Sequence, residues 1–253
     1  MLINQTVERL RAMKLKGLAD GYLRQREISQ IRELSFDERL GILVEDEWLS
    51  RQNRKQKLLL KNAHLRDQAS LEGIDYTHHR SLDRGLIQRL SLGNWLKDNQ
   101  NILISGPTGV GKTYLSCALG NLACRMYYST RYYRLSRLFS EIAMSRGDGS
   151  YIRHLEGLRK VKVLILDDWG LAPLTSQESR ELLEVIEDRT HQGPTIIAGQ
   201  IPPKHWHELM PDPTVADAFM DRLIHNAHII ELKGDSMRKF QKNSPADGGQ
   251  KVT

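Results

Sequence analysis

Eight consecutive residues, Gly106 to Thr113, have the types and spacing of a loop that binds phosphate groups. They fit the pattern G-x-x-x-x-G-K-[ST], follow a short apolar run and precede a stretch with helical periodicity. Glycines at 109 and 111 let successive backbone N–H groups converge on phosphate oxygens. Lys112 supplies a cation for the terminal phosphates, and the Thr113 hydroxyl can ligate Mg²⁺. The residues predicted to contact a bound nucleotide are Gly106, Pro107, Thr108, Gly109, Val110, Gly111, Lys112, Thr113 and Tyr114.

Two adjacent carboxylates, Asp167 and Asp168, directly follow the apolar run 163–166. A strand that ends in carboxylates beside a phosphate loop is the second element that nucleotide hydrolysis requires. Asp167 is predicted to hold Mg²⁺, largely through water, and Asp168 to orient the attacking water or accept its proton. The alternative for Asp168 is a turn residue that ends a strand. Together with the loop, this pair predicts hydrolysis of ATP or GTP.

Arginine and tyrosine are concentrated between the predicted first and third strands. Arginine can follow the phosphates of a nucleic acid, and tyrosine adds a hydroxyl or a stacking face. The segment has no base-reading motif, so we expect a weak sequence preference. For the tyrosines, the alternative is that they line a strand. The residues predicted to bind DNA are Arg131, Tyr133, Arg134, Arg137, Arg146 and Arg153. A second basic run, at 51–61, is equally typical of a solvated helix face.

Strand and helix patterns alternate around these groups. The predicted strands are 101–105, 130–135, 161–166, 195–198 and 228–232. The predicted helices are 112–126, 136–159 with a break at 147–149, 176–192 and 213–225. Continuous apolar runs are typical of strands covered on both faces, as in a parallel sheet. We therefore predict a doubly wound α/β domain over 101–240.

The first third of the chain contains no proline and has helical periodicity. One apolar face is predicted for Leu10, Met13, Leu15 and Leu18, and further faces lie around Leu43 and Leu59. The run 35–38, Ser-Phe-Asp-Glu, has the pattern of a capping box at the start of a helix. These features predict a small all-helical domain over 1–75, which would serve oligomerisation or a partner. A connector is expected over 76–100 and a disordered tail over 241–253.

Composition excludes several classes of protein. The chain has 253 residues, a net charge of +6 and two cysteines. So few cysteines exclude a disulfide scaffold and favour a reducing compartment. No apolar run is long enough to span a bilayer, and the first residues lack the features of a signal peptide, so a cytoplasmic protein without a membrane partner is expected. Neither zinc-ligand spacing nor a G-x-S-x-G nucleophile elbow is present.

Further runs are similar to a known family. The segments 167–170 and 180–189 resemble the AAA+ helicase-loader clade, which places an AAA+ P-loop NTPase domain after the helical one. Within that clade, 199–206 (GQIPPKHW), 221–227 (DRLIHNA) and 232–239 resemble the IstB family, the ATPase helpers of insertion-sequence transposition. The opening helices resemble the same family at 13–19 and 54–59. The DnaC helicase loader is the relative most easily confused with it.

The resemblance implies roles for four further residues. Gln200 matches the sensor-1 position, where a polar side chain reaches the γ-phosphate or the attacking water. Arg222 matches the arginine finger that reaches the nucleotide of a neighbouring subunit, and Arg189 is the alternative. Arg238 matches a sensor-2 arginine. The chain ends soon after it, so little or no C-terminal lid is expected.

The same resemblance implies an ATPase with ATP and Mg²⁺ as cofactors. It implies a homo-oligomer, either a ring or a helical assembly, that forms on double-stranded target DNA and assists its cognate transposase. Two alternatives stay open. The first is a helicase loader that uses the same motor. The second is a structural DNA-coating protein that binds ATP and hardly hydrolyses it.

Overall fold

The computed structural model describes residues 2–78 and 81–237, and the chain divides into two compact units, Met1–Leu58 and Leu59–Thr253. Arg238 and the predicted tail over 241–253 lie outside the described residues. Within the described part, no helix combines the length and apolar character that crossing a membrane requires.

The first unit is helical, as its periodicity predicts. It contains α1 (Leu2–Ala12), α2 (Lys16–Glu27) and most of α3 (Phe36–Ala63), with a 3₁₀ turn at Ser29–Glu33. The expected capping box begins α3. The Glu38 N–H donates to Ser35 Oγ at 3.3 Å, and the Ser35 N–H donates to the Glu38 carboxylate at 2.8 Å.

One predicted apolar face of this unit is divided between two helices. Leu10 lies on α1 and Leu18 on α2, with a turn between them in which Lys14 has φ 61°. Met13, expected on the same face, is 60 % exposed. The periodicity continues through the turn, which contains neither glycine nor proline, so the sequence pattern did not indicate the break.

The second unit is built on five parallel strands in the order β2-β3-β4-β1-β5. They are β1 (Asn101–Ser105), β2 (Thr130–Arg134), β3 (Val163–Trp169), β4 (Thr195–Gly199) and β5 (Ala227–Glu231). This sheet confirms the predicted doubly wound α/β domain. Because all strands are parallel, the residues that follow β1, β3 and β4 meet at one edge of the sheet.

The crossover helices lie close to their predicted positions. They are α6 (Lys112–Arg125), α7 (Leu135–Gly147), α8 (Tyr151–Lys160), α9 (Ser176–Arg189) and α10 (Pro213–Ile224), with 3₁₀ turns at Pro203–His205 and His207–Leu209. The break expected at 147–149 separates α7 from α8. A capping box begins α9, where Thr175 and Glu178 exchange side-chain to backbone hydrogen bonds.

Hydrophobic cores cover both faces of the sheet. Ile104 and Ile165 belong to one core and Leu103 and Leu166 to the other, as the alternation of side chains along a strand requires. The segment 76–100, expected as a connector, contributes to the first core. It forms α4 (Arg84–Ser91) and α5 (Asn94–Lys97), which bury Ile87, Leu90, Trp95 and Leu96.

Candidate nucleotide site and nucleic-acid interface

The loop between β1 and α6 has the backbone that its glycines predict. Gly109 has φ +83° and Gly111 has φ +106°, a region in which other residues are strained. Gly111 is the N-cap of α6, so the N–H groups of the first helical turn open toward the loop. Val110 is fully buried and anchors the loop, whereas Pro107 and Thr108 are exposed. This arrangement is a preformed cradle for an anion.

Lys112 is held over the loop. Its Nζ donates to the Pro107 carbonyl at 2.8 Å. Partial burial lowers the pKa of the Lys112 ammonium, and the charges of Asp167 and Asp168 act in the opposite direction. Tyr114, also predicted to contact nucleotide, donates its hydroxyl to the Ser70 carbonyl at 3.3 Å and packs against the first core.

Thr113 and Asp167 meet although they are distant in sequence. The Thr113 hydroxyl donates to Asp167 Oδ2 at 2.7 Å, and Asp167 is 1 % exposed. Two more donors hold the carboxylate: the Tyr132 hydroxyl at 2.7 Å on Oδ2 and the Asp168 N–H at 2.9 Å on Oδ1. A hydroxyl and a buried carboxylate at the end of a phosphate loop are oxygen donors that suit Mg²⁺.

Asp168 has a left-handed backbone conformation and a cationic neighbour. Strand β3 continues through both carboxylates to Trp169, with a bulge between Leu166 and Trp169, rather than ending before them as predicted. Asp168 has φ 65°, a left-handed conformation that is uncommon outside glycine. Its carboxylate lies 3.5 Å from the Arg134 Nε at the end of β2.

Gln200 directly follows β4, which lies between β1 and β3 in the sheet. Its N–H donates to the Trp169 carbonyl at 3.4 Å, and its side chain is exposed. Gln200 therefore lies at the same sheet edge as the phosphate loop and Asp168. Its catalytic role stays a prediction.

Arg222 lies at the opposite edge of the sheet. Asn101, at the amino end of β1, donates to the carbonyls of Arg222 and Leu223 at 3.4 and 3.1 Å. The Arg222 guanidinium pairs with Glu187 at 2.6 Å and donates to the Ala218 carbonyl at 2.8 Å. Its side chain is 31 % exposed. Arg222 and the phosphate loop of the same chain therefore lie at opposite ends of β1.

Arg189, the alternative finger, has a different environment. It is 2 % exposed, and burial lowers the pKa of its guanidinium to about 10. Its five N–H groups donate to the carbonyls of Leu158, Val161, Lys162 and Pro194 and to Thr195 Oγ1. A guanidinium has five N–H groups, so none is left for a nucleotide. This geometry favours Arg222 over Arg189.

Four of the predicted DNA-binding residues line one cavity of 710 Å³ along the edge strand β2, called the arginine cavity below. Its lining includes His64, Arg66, Arg131, Tyr133, Arg134 and Arg137. Among the described residues that line it, Glu141 is the one carboxylate, and it pairs with Arg137 at 3.1 Å. The lining is therefore strongly cationic.

The other two predicted DNA-binding arginines lie elsewhere. Arg153 lines a neighbouring cavity of 640 Å³ that shares Arg131 and Tyr133 with the arginine cavity. Arg146, by contrast, pairs with the buried Glu181 at 2.9 Å and lies 4.1 Å from the centre of the Tyr151 ring. These contacts tie α7 to α8 and α9 within the second unit.

Sequence reasoning missed several residues of these sites. His64 and Arg66 reach the arginine cavity from the end of α3, far from β2 in sequence. Tyr132 is not among the predicted site residues, yet among the described tyrosines it alone contacts Asp167. The Arg66 guanidinium lies beside the Tyr132 hydroxyl and near both carboxylates. Alternation along β2 was the one available signal that Tyr132 and Tyr133 face opposite sides.

The sequence and the fold were compared with known proteins. The model of the IstB-like ATP binding protein family matches residues 8–245. The insertion-sequence ATP-binding protein y4pL of Sinorhizobium fredii is 46 % identical over 242 residues, covering 96 % of this chain and 99 % of that protein. The ATP-binding protein of insertion sequence IS1162 from Pseudomonas fluorescens is 43 % identical over 203 residues, covering 80 % of this chain and 88 % of that protein.

Solved structures share the fold at low sequence identity. DnaI superposes with a TM-score of 0.57 at 21 % identity, covering 72 % of this chain and 98 % of that one. The replication initiator DnaA bound to AMPPCP and single-stranded DNA also superposes with a TM-score of 0.57, at 18 % identity. The match covers 70 % of this chain and 57 % of that one. These neighbours have AAA+ P-loop domains. With this fold, the phosphate loop and a family match along nearly its whole length, the chain belongs to the family of IstB-like ATP-binding proteins.

Proposed function

We propose that this chain is an ATPase that assembles on double-stranded DNA and assists the transposase of an insertion sequence. The observation that carries the proposal is the contact between Thr113 and Asp167 beside Lys112. A phosphate loop, a hydroxyl and a buried carboxylate thereby converge at one edge of the sheet. The relatives that are named for ATP binding and for insertion sequences support the substrate and the context.

In the proposed reaction, each group at this edge has one task. The N–H groups of the loop and Lys112 hold the phosphates, and Lys112 exchanges the Pro107 carbonyl for a phosphate oxygen. Thr113 and Asp167 hold Mg²⁺, which when bound supplies positive charge for the transferring phosphoryl group. Asp168 orients the attacking water and accepts its proton, and Gln200 contacts the same water or the γ-phosphate.

Hydrolysis would depend on assembly. Arg222 lies too far from its own phosphate loop to act there, and a head-to-tail contact brings it to the nucleotide of the next subunit. An arginine supplied in this way stabilises the charge that develops during phosphoryl transfer. To reach it, Arg222 has to exchange Glu187, a partly exposed partner, for the phosphate. A ring or a helical assembly satisfies this geometry.

The proposed DNA surface is the arginine cavity together with Arg153. Guanidinium groups can contact phosphates of any sequence, so the surface suits duplex DNA with weak sequence preference. Arg134 belongs to this surface and also pairs with Asp168. DNA that engages Arg134 would therefore act directly on a residue of the hydrolytic site.

The transposase is the proposed partner because the relatives are named for insertion sequences. A helicase loader is the second candidate, favoured by the fold shared with the DnaC helicase loader. The helical first unit distinguishes the two, since it should bind a transposase or another copy in one case and a replicative helicase in the other. We propose the cytoplasm as the place of action, where the free buried Cys117 and Cys124 stay reduced.

The ATPase rate, measured with and without duplex DNA, tests this proposal. We expect DNA to raise the rate of the wild-type chain. Lys112→Ala should abolish nucleotide binding, and Asp168→Asn should keep binding while the rate falls by about 100-fold or more. Single-stranded DNA of the same length serves as the comparison for duplex preference.

Two results would contradict the proposal. A rate that duplex DNA leaves unchanged, together with an unimpaired Asp168→Asn variant, would overturn the motor mechanism. Tight binding of ATP and DNA without turnover would instead support a DNA-coating protein.

A further inference from the structure

We propose that Tyr132 is a positioning residue for Asp167, and that its hydroxyl determines how tightly the nucleotide complex holds Mg²⁺. The inference rests on the proposed function, because it requires a complex of Mg²⁺ and nucleotide at the phosphate loop. Neither the phosphate-loop motif nor the paired carboxylates pointed to a residue of β2 in this role.

The register of the sheet brings Tyr132 to the carboxylate. Tyr132 pairs with Ile165 on β3, two residues before Asp167, and its side chain lies in the first core on the same side as α6. A tyrosine is long enough to extend along the strand direction and to place its hydroxyl 2.7 Å from Asp167 Oδ2. Tyr132 is 8 % exposed, its contact with Asp167 is buried, and its side chain also lines the arginine cavity.

The three donors on Asp167 leave its carboxylate one orientation. Oδ1 accepts the Asp168 N–H, and Oδ2 accepts both the Thr113 and the Tyr132 hydroxyls. The Asp168 N–H fixes Oδ1, and the Thr113 and Tyr132 hydroxyls together fix Oδ2. Among the described contacts, removal of the Tyr132 hydroxyl would leave the Thr113 hydroxyl as the one side-chain donor to Oδ2.

A tyrosine hydroxyl carries its proton near neutral pH, so Tyr132 can donate to Asp167. Burial and the neighbouring Asp167 charge raise the pKa of Tyr132 well above its usual value. The Arg66 guanidinium lies beside the same hydroxyl. Tyr132 therefore orients the carboxylate through a hydrogen bond from its hydroxyl. Groups that orient a metal-binding side chain in this way commonly change metal affinity 10- to 100-fold when they are removed.

The Mg²⁺ dependence of nucleotide binding tests the inference. Binding of the fluorescent analogue N-methylanthraniloyl-ADP is measured while MgCl₂ is titrated. For Tyr132→Phe we expect the half-saturating MgCl₂ concentration to rise about tenfold. Binding in EDTA should equal that of the wild-type chain, because the phosphate loop itself is unchanged. Equal half-saturating concentrations for both proteins would overturn the inference.

Tyr151→Phe is the matched control. It also removes a tyrosine hydroxyl that donates to a carboxylate, Glu184 at 2.5 Å, but Tyr151 lies on α8 and packs against the core on the other face of the sheet. We expect its Mg²⁺ dependence to equal that of the wild type. A shift as large as that of Tyr132→Phe would show a general effect of losing such a bond and would contradict the assignment.

Thermal unfolding separates positioning from mere stabilisation. The unfolding temperature is measured with ADP in EDTA and again with ADP and MgCl₂, and the rise caused by MgCl₂ is compared within each protein. The rise should be smaller for Tyr132→Phe than for the wild type. An equal rise from a lower starting temperature would mean that the hydroxyl only stabilises the fold. If MgCl₂ has no effect on the wild type either, the proposed Mg²⁺ site fails with the inference.

Discussion

Arg189 and Arg222 have the same side chain in opposite environments. Arg189 satisfies all five of its N–H groups inside the molecule, mostly with carbonyls at the amino ends of β3 and β4. Arg222 is partly exposed and keeps one ion pair and one carbonyl contact. A guanidinium that must reach another subunit has to exchange its partners at low cost. The free energy needed to break these contacts is therefore high for Arg189, the structural arginine, and low for Arg222, the mobile one.

Replacement of each arginine by methionine tests this difference. Arg189→Met leaves buried carbonyls without donors, and we expect it to lower the free energy of unfolding by about 3 kcal/mol or more. Arg222→Met removes a partly exposed pair and should cost about 1 kcal/mol or less. Urea denaturation of both variants measures the costs. Equal costs would contradict the structural role given to Arg189.

Arg134 is the residue through which DNA could act on hydrolysis. For Arg134→Ala we expect the ratio of ATPase rates with and without saturating duplex DNA to fall toward one, because Asp168 loses the partner that DNA would displace. Arg137→Ala is the control, since Arg137 lines the same cavity and pairs with Glu141 instead. It should weaken DNA affinity and keep the ratio at saturation. A wild-type ratio in Arg134→Ala would disprove this coupling.

Strand β2 contributes to both the candidate nucleotide site and the arginine cavity, because its side chains point alternately to the two faces of the sheet. It is an edge strand, paired with β3 on one side. Tyr132 faces the first core and Asp167, while Tyr133 faces the second core and Arg131 lies 5.3 Å from its ring centre. Arg134, at its end, lies beside Asp168. One strand thus joins the arginine cavity to the nucleotide site.

Helix α7 carries two arginines with different partners, so the two should differ in their effect on DNA binding. Arg137 lines the arginine cavity, whereas Arg146 pairs with the buried Glu181. For Arg137→Ala we expect the slope of log affinity for DNA against log salt concentration to fall by about 1. For Arg146→Ala we expect an unchanged slope and a lower unfolding temperature. DNA titrations at several salt concentrations measure the slopes, and the reverse result would make Arg146 the DNA contact.

On the scale of the whole molecule, the phosphate loop and Arg222 lie at opposite edges of one parallel sheet. Residues that follow β1 and β3 form the candidate nucleotide site, whereas Arg222 lies beside the amino end of β1 and contacts Glu187 and Ala218. In the proposed mechanism, the nucleotide site needs both of these groups, and they cannot meet within one monomer. Two subunits in head-to-tail contact can complete the site.

Mixed subunits test this division. Arg222→Ala and Asp168→Asn should each lose DNA-stimulated hydrolysis when present alone. In a mixture, an interface that combines the intact Asp168 of one subunit with the intact Arg222 of another is complete. We therefore expect the mixture to hydrolyse ATP faster than either variant alone, measured as phosphate release with duplex DNA. No gain in the mixture would place both residues in the same half-site.

Much of the fold could be predicted because its signals are local. The strands and crossover helices of the second unit lie within a few residues of their expected positions, since apolar runs and caps depend on neighbouring residues. The turn at Lys14 and the helices within 76–100 were missed. A turn without glycine or proline has no local signature, and short helices acquire their burial from distant parts of the chain.

The sequence by itself determined the nucleotide loop, the pair of carboxylates and the parallel sheet that unites them. Their spacing is a local property, and a parallel sheet always brings the residues after its strands to one edge. Only the tertiary structure decided that Tyr132 contacts Asp167, that Arg134 contacts Asp168, and that Arg189 is enclosed while Arg222 is not. Those contacts depend on strand order, register and burial, which arise from packing between segments that are far apart in the chain.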